Sequence, residues 1–530
     1  MDTKDNPFKE VLLSLSLVLS VLGLFLLPDI YMASSHPDEG FTYVLSGIGL
    51  LLPIAVFVAF CPSVLCQIVL LFIGMLISMT EVLSVFTYYN YTNAVCIPAL
   101  LYSNAAETND MSAYIVRYAL PHEILPLILF VVCIILVILL RKNTDGIRKH
   151  AIICVSSFCV AVVVIISATS VCANHSPYHL MREIYVAIGQ EKLRKTYLSH
   201  TDQFTYKAKG LLHSKSTYAL AIGESVNYSH TSLNYIYPRH TMPQLEAKRI
   251  VLYSDYYSTA TYTQQALPML LTRATPENFV QNYKEMPIQT IFRELGYKTY
   301  IVANRSQILN NGVHDYLTKG ADSVFFELND GAVVEKFKEI CKRDENAFVL
   351  LHFLGNHFFY SNYPECYNKW KPNYNHHPEI KSDSLFINAY DNSLLYTDSV
   401  VANCIKSLEA VSSNKQSVFV FTSDHGEYLD AHVGGHGLSC NPTKDEYHVP
   451  LMVWYSDEYA AAHPDKVANM IKHKDEPICA DHVFWSVLDM ANIRIDSTLQ
   501  QDGMSIFRDT LLPHRRTLLL PDGKSVMSLD

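Results

Sequence analysis

The sequence predicts two architectures in one chain. An amino-terminal transmembrane domain of five helices covers residues 1–174, and an α/β domain with a mostly parallel sheet covers residues 213–530, with residues 175–212 as a connector. Three observations carry this reading. The long apolar runs all fall before residue 175 and none follows it. From residue 217 onward, short apolar runs alternate with helical patterns, as strands do when crossover helices separate them. Acidic and imidazole side chains stand at the ends of several of those runs, and in a parallel sheet ligands gather beyond the carboxyl ends of the strands.

The apolar runs occupy residues 11–27, 43–60, 64–86, 124–140 and 151–171. Each is close to the ~20 residues that cross a bilayer. A buried core helix could explain one of them, but five in succession read as a membrane domain. The first run follows "MDTKDNPFKE", mixed in charge, and no small-residue cleavage site comes after it. It therefore reads as a retained helix and not as a signal peptide. Lys4 and Lys9 precede the first run, and Arg141, Lys142, Arg148 and Lys149 lie between the fourth and fifth. The loop at 28–42 has no Lys or Arg, and the loop at 87–123 has only Arg117. The positive-inside rule then makes the amino terminus and the 141–150 loop cytoplasmic. Five crossings place everything after residue 175 on the other side. Glu81 interrupts the third run. Ionisable groups inside a membrane are costly and often functional; the plainer reading puts Glu81 near the outer interface, just before "YYNY".

The connector carries "HLMREIYVAIGQEKLRKTYL", with apolar residues at helical spacing. It suits a helix on or near the membrane surface, or an ordinary exposed linker helix. Strands are expected at 217–223, 298–304, 347–355, 417–424 and 448–456, with helical patterns at 277–295 and 390–411 between them.

The net charge of -10 argues against a nucleic-acid partner. Of 12 cysteines, five lie clearly in the outer part: Cys341, Cys366, Cys404, Cys440 and Cys479. An oxidising compartment permits disulfides there. The odd number leaves one free or paired elsewhere, for example with Cys172, and sequence does not assign the pairs.

Glu224 follows the first expected strand, Asn356 and His357 the third, and Asp424 and His425 the fourth. Converging carboxylates and a neutral imidazole suit zinc or manganese, whereas an all-oxygen site would suit magnesium or calcium. The histidine favours zinc, tetrahedral with one position open to substrate. Six hydroxyl side chains crowd residues 257–263: Tyr257, Ser258, Thr259, Thr261, Tyr262 and Thr263. Either they cap the helix that follows, or one of them is a nucleophile.

The segments "AIGESVNYSHTSLNYIYPRHTMPQL", "TATYTQQALPMLLTRATPENF", "LLHFLGNHFFYSNYP", "NAYDNSLLYTD" and "FTSDHGEYLD…GGHG…YHVPLMVW" occur in this order. The ordered set resembles the membrane phosphoethanolamine transferases of the alkaline phosphatase/sulfatase superfamily. "YTQQALPMLLTRATPEN" and "LHFLGNH" look most like the branch that modifies the lipopolysaccharide core. The resemblance implies a zinc site made by Glu224, Thr263, Asp424 and His425, with Thr263, five residues before Pro268, as the nucleophile. It implies that His357 and His436 bind the phosphoryl group or a second zinc. Thr263's hydroxyl neighbours would then cap the helix and line the pocket. It further implies a phosphatidylethanolamine donor, a lipid A phosphate or core sugar as acceptor, and an enzyme of the inner membrane with its catalytic domain in the periplasm. Because donor and acceptor are both membrane lipids, the site must work at a bilayer surface.

The chain departs from the family at two places. Lipid A enzymes often carry a cysteine pair where Thr259 and Met269 stand, and the family usually reads "HGP" where residues 357–359 are "HFF". Three other readings compete. A lipoteichoic acid synthase shares the layout but transfers glycerol phosphate; "YDN" and "RATPEN" favour the ethanolamine branch. A sulfatase needs a C/S-x-P-x-R motif, and none occurs near Thr263. An inactive membrane scaffold would have no need for Glu224, Thr263, Asp424 and His425 together.

Overall fold

A computed structural model of the chain describes residues 7–35, 40–88, 91–92, 120–143, 147–167, 174–198, 204–210, 215–304, 318–343, 345–358, 360–375, 382–430, 435–437 and 441–530. Lys4, Arg117, Cys172, Phe359 and Cys440 lie outside the described residues. The chain divides into two compact units: Met1–Ile97 with Ala105–Gln190, and Glu191–Asp530 with Pro98–Asn104.

The helices of the first part are α1 (Pro7–Ser35), α2 (Gly40–Ala59), α3 (Val64–Tyr88), α4 (Leu120–Asn143) and α5 (Ile147–Ser167), followed by α6 (Tyr178–Leu198) in the expected connector. Leu17, Val21, Leu24 and Phe25 of α1 pack with Leu51 and Ala55 of α2, Leu71 of α3, and Cys133 and Val137 of α4. Gly74 lets α3 approach α1, since a Cβ there would meet Phe25 Cε1 at 2.7 Å. Leu65 and Phe72 of α3 and Ile128, Val131 and Ile135 of α4 are left exposed. A bundle that is apolar outside as well as inside is built for lipid.

Among the described residues, four helices are long and apolar enough to cross a membrane: Phe8–Ser34, Gly40–Ala59, Val64–Val85 and His122–Arg141. That is one fewer than the sequence suggested. Among the described residues α5 contributes the shorter apolar stretch Ile152–Val163. Glu81 is fully buried within the first unit. It accepts a hydrogen bond from the Thr92 N–H at 2.8 Å, and His179 Nδ1 lies 3.6 Å away. Glu81 Oε2 thus has a protein partner, while Oε1 is buried without a hydrogen bond.

The second unit is built on a seven-stranded sheet. Its strands are β1 (Ser216–Gly223), β2 (Val251–Tyr253), β4 (Lys298–Asn304), β5 (Ser323–Glu327), β6 (Ala347–His352), β7 (Gln416–Ser423) and β8 (Leu451–Tyr455), in the order β2-β8-β7-β1-β6-β4-β5. Five central and edge strands, β7, β1, β6, β4 and β5, run parallel; β8 is antiparallel to β7, and β2 to β8. The sheet is thus mixed but mostly parallel. β2 and β5 were not foreseen, and the apolar run at 347–355 is a strand only as far as His352. Two short strands, β3 (Tyr256–Tyr257) and β9 (Ile478–Cys479), pair beside it, and β10 (Thr517–Leu519) pairs with β11 (Val526–Ser528).

Both faces of the sheet are covered, which is why its strands read as continuous apolar runs. Tyr218, Leu220 and Ile222 of β1 enter one core, with Phe292, Phe348, Val483 and Phe484. Ala219 and Ala221 enter the other, with Phe337, Phe386, Tyr390 and Leu394. The nine described cysteines are all free, including Cys341, Cys366, Cys404 and Cys479.

Candidate active site

β1 lies between β6 and β7 and is parallel to both, with Ile222 opposite His352 and Gly223 opposite Ser423. The register sets three side chains at one end of the sheet: His352 at the last position of β6, Glu224 just past β1, and Asp424 just past β7. One donor atom from each lies within 4.8 Å of the others, and the same holds for Glu224, His425 and His436. The Ser225 N–H donates to Asp424 Oδ1 at 3.3 Å, and the Tyr390 hydroxyl donates to the Ser225 carbonyl at 2.5 Å. Gly355 (φ +51°) lets the turn after β6 close over Glu224, where a Cβ would meet Glu224 backbone atoms at 3.0 and 3.1 Å. That turn is held by Asp330, which accepts the Leu354 and Gly355 N–H groups at 2.9 Å each.

Thr263 opens α7 (Thr263–Leu271) and joins this cluster from a distant part of the chain. Its hydroxyl lies 3.0 Å from Glu224 Oε2, 3.2 Å from Glu224 Oε1 and 3.4 Å from His425 Nε2. Its neighbours do not cap α7. The N-cap residue is Tyr262, which makes no side-chain cap hydrogen bond. Thr259 Oγ1 and Thr261 Oγ1 are buried without partners, and Ser258 Oγ bonds the carbonyls of Ala260 and Asp424. Ser258 thereby ties the Thr263 segment to the end of β7.

His425 Nδ1 donates to the Gly426 carbonyl at 2.8 Å, which leaves Nε2 facing Glu224 Oε1 at 3.0 Å and Asp424 Oδ2 at 3.5 Å. Such a bond fixes the tautomer of a ligating imidazole. Asp424 Oδ2 is buried and has no hydrogen-bond partner. Burial, and then the Glu224 charge, push the Asp424 carboxyl up to about 8. Burial opposes charge on His425, but Asp424 and Glu224 outweigh it and raise the imidazole to about 10. Glu224 is pulled down despite burial because His425 sits beside it. Two buried carboxyls crowd this one imidazole, and acidic groups held so close away from water are what a divalent cation relieves. The oxygen and nitrogen donors, the orphaned oxygen and the fixed Nε2 fit zinc.

His436 is brought beside His425, with ring centroids 4.1 Å apart, and its Nδ1 is held by Glu427 Oε2 at 2.5 Å. The other oxygen of Glu427 accepts from the Tyr360 hydroxyl. His357 turns its Nδ1 to the Phe358 carbonyl at 2.7 Å. Sequence reasoning missed His352. Both its ring nitrogens are buried without partners, and burial lowers it to about 4, so it is a neutral imidazole beside Glu224 and Asp424. Only the register of β6 against β1 reveals it, because as the end of "AFVLLH" it reads as core.

The sulfatase family model matches residues 216–493, just over half of the chain. The chain belongs to the sulfatase family. Within that family it is similar to phosphoethanolamine transferase EptC of Escherichia coli, at 28% identity over 302 residues, 53% of this chain and 51% of the relative. It thus spans about half the length of the curated relatives it matches. The periplasmic domain of EptC from Escherichia coli, solved in complex with Zn, superposes with a TM-score of 0.53 and 26% identity over 59% of this chain and 92% of that one. The lipooligosaccharide phosphoethanolamine transferase EptA of Neisseria meningitidis shares the fold over 94% of this chain and 98% of its own, with a TM-score of 0.67 and 19% identity. Of the residues that the sequence singled out, Glu224, Asp424 and His425 follow the ends of β1 and β7, whereas Thr263 opens α7.

Proposed function

We propose that this chain is a zinc-dependent phosphoethanolamine transferase. It takes phosphoethanolamine from phosphatidylethanolamine onto Thr263 and passes it to a lipopolysaccharide acceptor, a lipid A phosphate or a core sugar. The observation that carries the reading is the Thr263 hydroxyl at 3.0 Å from Glu224 and 3.4 Å from His425, beside the unpaired Asp424 oxygen. The similarity to EptC, whose periplasmic domain binds Zn, supports it.

Glu224, Thr263, Asp424 and His425 would hold the zinc, with His357 and His436 beside the phosphoryl group. Zinc bound there lowers the pKa of a nearby hydroxyl and neutralises phosphoryl charge. Thr263 Oγ1 gives up its proton to solvent and attacks phosphorus, an Oγ1–P bond forms, and the P–O bond to diacylglycerol breaks. The departing oxygen takes a proton from His436 or His357. Glu427 orients His436 through Nδ1, which turns Nε2 to this task. The acceptor oxygen then attacks the same phosphorus and passes its proton to that histidine, while the Oγ1–P bond breaks and Thr263 takes a proton back from solvent. The first turn of α7 adds backbone N–H groups and a favourable dipole for the anionic group.

The domain plan proposed is a membrane part to residue 174, a connector at 175–212 and a catalytic part from 213, in the inner membrane with the catalytic part in the periplasm. α5 supplies the fifth crossing: its 21 residues measure about 32 Å at 1.5 Å per residue. Reporter fusions after residues 145 and 200 should report opposite sides of the membrane, and the same side would remove α5 from the count. The chemistry is tested by incubating the protein with phosphatidylethanolamine and no acceptor. Peptide mass spectrometry should find phosphoethanolamine on Thr263. An adduct on Thr259 or Thr261 overturns the nucleophile, and glycerol phosphate on Thr263 overturns the donor.

A further inference from the structure

A second group of ligand-type side chains lies at the start of α8 (Asp481–Met490), outside the catalytic cluster. Cys479 ends β9, Asp481 opens α8, and His514 arrives from the segment before β10. One donor atom from each of the three lies within 4.8 Å of the others. His514 Nε2 is 3.0 Å from Asp481 Oδ2. The other oxygen, Asp481 Oδ1, is buried with no hydrogen-bond partner, and the residue is only 5% exposed. His482 stands against the group: its Nδ1 is 3.8 Å from Cys479 Sγ, its ring lies 5.4 Å from that of His514, and its buried Nε2 has no partner. Two orphaned polar atoms beside a buried thiol are costly unless something satisfies them.

We propose that Cys479, Asp481 and His514 form a second metal site, for zinc, separate from the catalytic centre. A sulfur, an oxygen and a nitrogen donor suit this borderline-soft ion, and His482 or water completes the tetrahedron. The charges close: a thiolate, a carboxylate and a neutral imidazole around a divalent cation make a neutral, buried complex. On binding, the Cys479 thiol and the His514 imidazolium each release a proton to solvent. The charge of the nearby Arg516 is offset by Asp255 at 2.6 Å and Asp530 at 2.7 Å.

The site would fasten the carboxy-terminal segment to the body of the catalytic unit. That segment supports the nucleophile. The Leu519 N–H bonds the Thr259 carbonyl at 2.9 Å, and Gln265 Nε2 bonds the Leu520 carbonyl at 3.2 Å. Leu519 also packs with Ala260, Ala266 and Met269 around the start of α7. A metal at Cys479 therefore acts as a staple behind the helix that presents Thr263.

The experiment uses the full chain in detergent, stripped by a chelator and titrated with Co2+. Thiolate coordination gives an intense near-ultraviolet charge-transfer band, and the catalytic cluster has no cysteine to produce one. The band should appear in the parent protein and persist in a Glu224→Ala/Asp424→Ala variant. Zn2+ should displace it. Cys479→Ala should abolish it, and His514→Ala, at a part-exposed position, should weaken Co2+ binding at least tenfold. No band in the parent protein, or a band that survives Cys479→Ala, overturns the site. If Cys479→Ala fails to fold, His514→Ala decides, and unchanged Co2+ affinity overturns the proposal.

Discussion

The two ligand clusters of the catalytic unit are built differently. Glu224, His352 and Asp424 stand at the ends of three adjacent parallel strands, with a buried core on each face. Their spacing is set by the sheet. Cys479, Asp481 and His514 come from a two-residue strand, a helix start and a loop, and less of the fold dictates where they meet. The difference teaches which site should survive without its ion: the first is preorganised by the fold, while the second needs a ligand to hold its parts together.

Loss of the proposed nucleophile is the largest expected effect. Thr263→Ala should lower transfer by roughly four orders of magnitude or more, the scale of losing a covalent catalyst. Zinc content and melting temperature should hardly change, because the other ligands remain on the sheet ends. A large loss of stability in this variant would show that the sheet does not preorganise the site. Thr263→Ser should keep part of the activity, since the hydroxyl survives and only the methyl that restricts its rotamer is lost.

Glu427→Gln comes next. It weakens the grip on His436 Nδ1 and on the Tyr360 hydroxyl, and should cost about 10–100-fold in turnover, as outer partners of ligating or catalytic histidines do. Steady-state kinetics should place the loss in kcat more than in KM.

Leu519→Ala probes the other side of the comparison. Leu519 is 1% exposed, and truncation of such a residue costs about 2–5 kcal/mol. Denaturant unfolding should show that loss. If the carboxy-terminal segment supports α7, turnover should fall with it at temperatures where the protein is still folded. Unchanged turnover would detach the segment from the site.

Thr261→Val should have the smallest effect on stability, neutral or stabilising by up to about 1 kcal/mol. Its buried hydroxyl has no partner, and an unsatisfied polar group carries a penalty that the methyl does not. A clear destabilisation would mean that the hydroxyl has a partner in solution.

Legibility in the sequence followed the same division. Glu224, Asp424 and His425 were readable because each directly follows a strong apolar run, and the parallel pattern told where such ends converge. Thr263 was readable through its place in the family motif, but its neighbours were not: Thr259 and Thr261 look like caps, yet Tyr262 takes the N-cap position. His352 hid inside an apolar run, because a candidate ligand that is itself the last strand residue reads as core. β2 and β5 were too short or too exposed at the edge to stand out. Cys479, Asp481 and His514 share no spacing motif, and only the tertiary fold brings His514 to the other two.

The central place of β1 has a consequence in time. Its carboxyl end touches the end of β7, two hundred residues later in the chain, where Ser423 Oγ bonds the Gly223 carbonyl at 3.2 Å. Contacts of such long sequence separation form late, because the loop between them must close first. An emerging chain therefore carries Glu224 and Thr263 long before Asp424 and His425 arrive to complete the group. A chain broken off before residue 424 keeps Glu224 and Thr263 but lacks the Asp424 and His425 donors that complete the group.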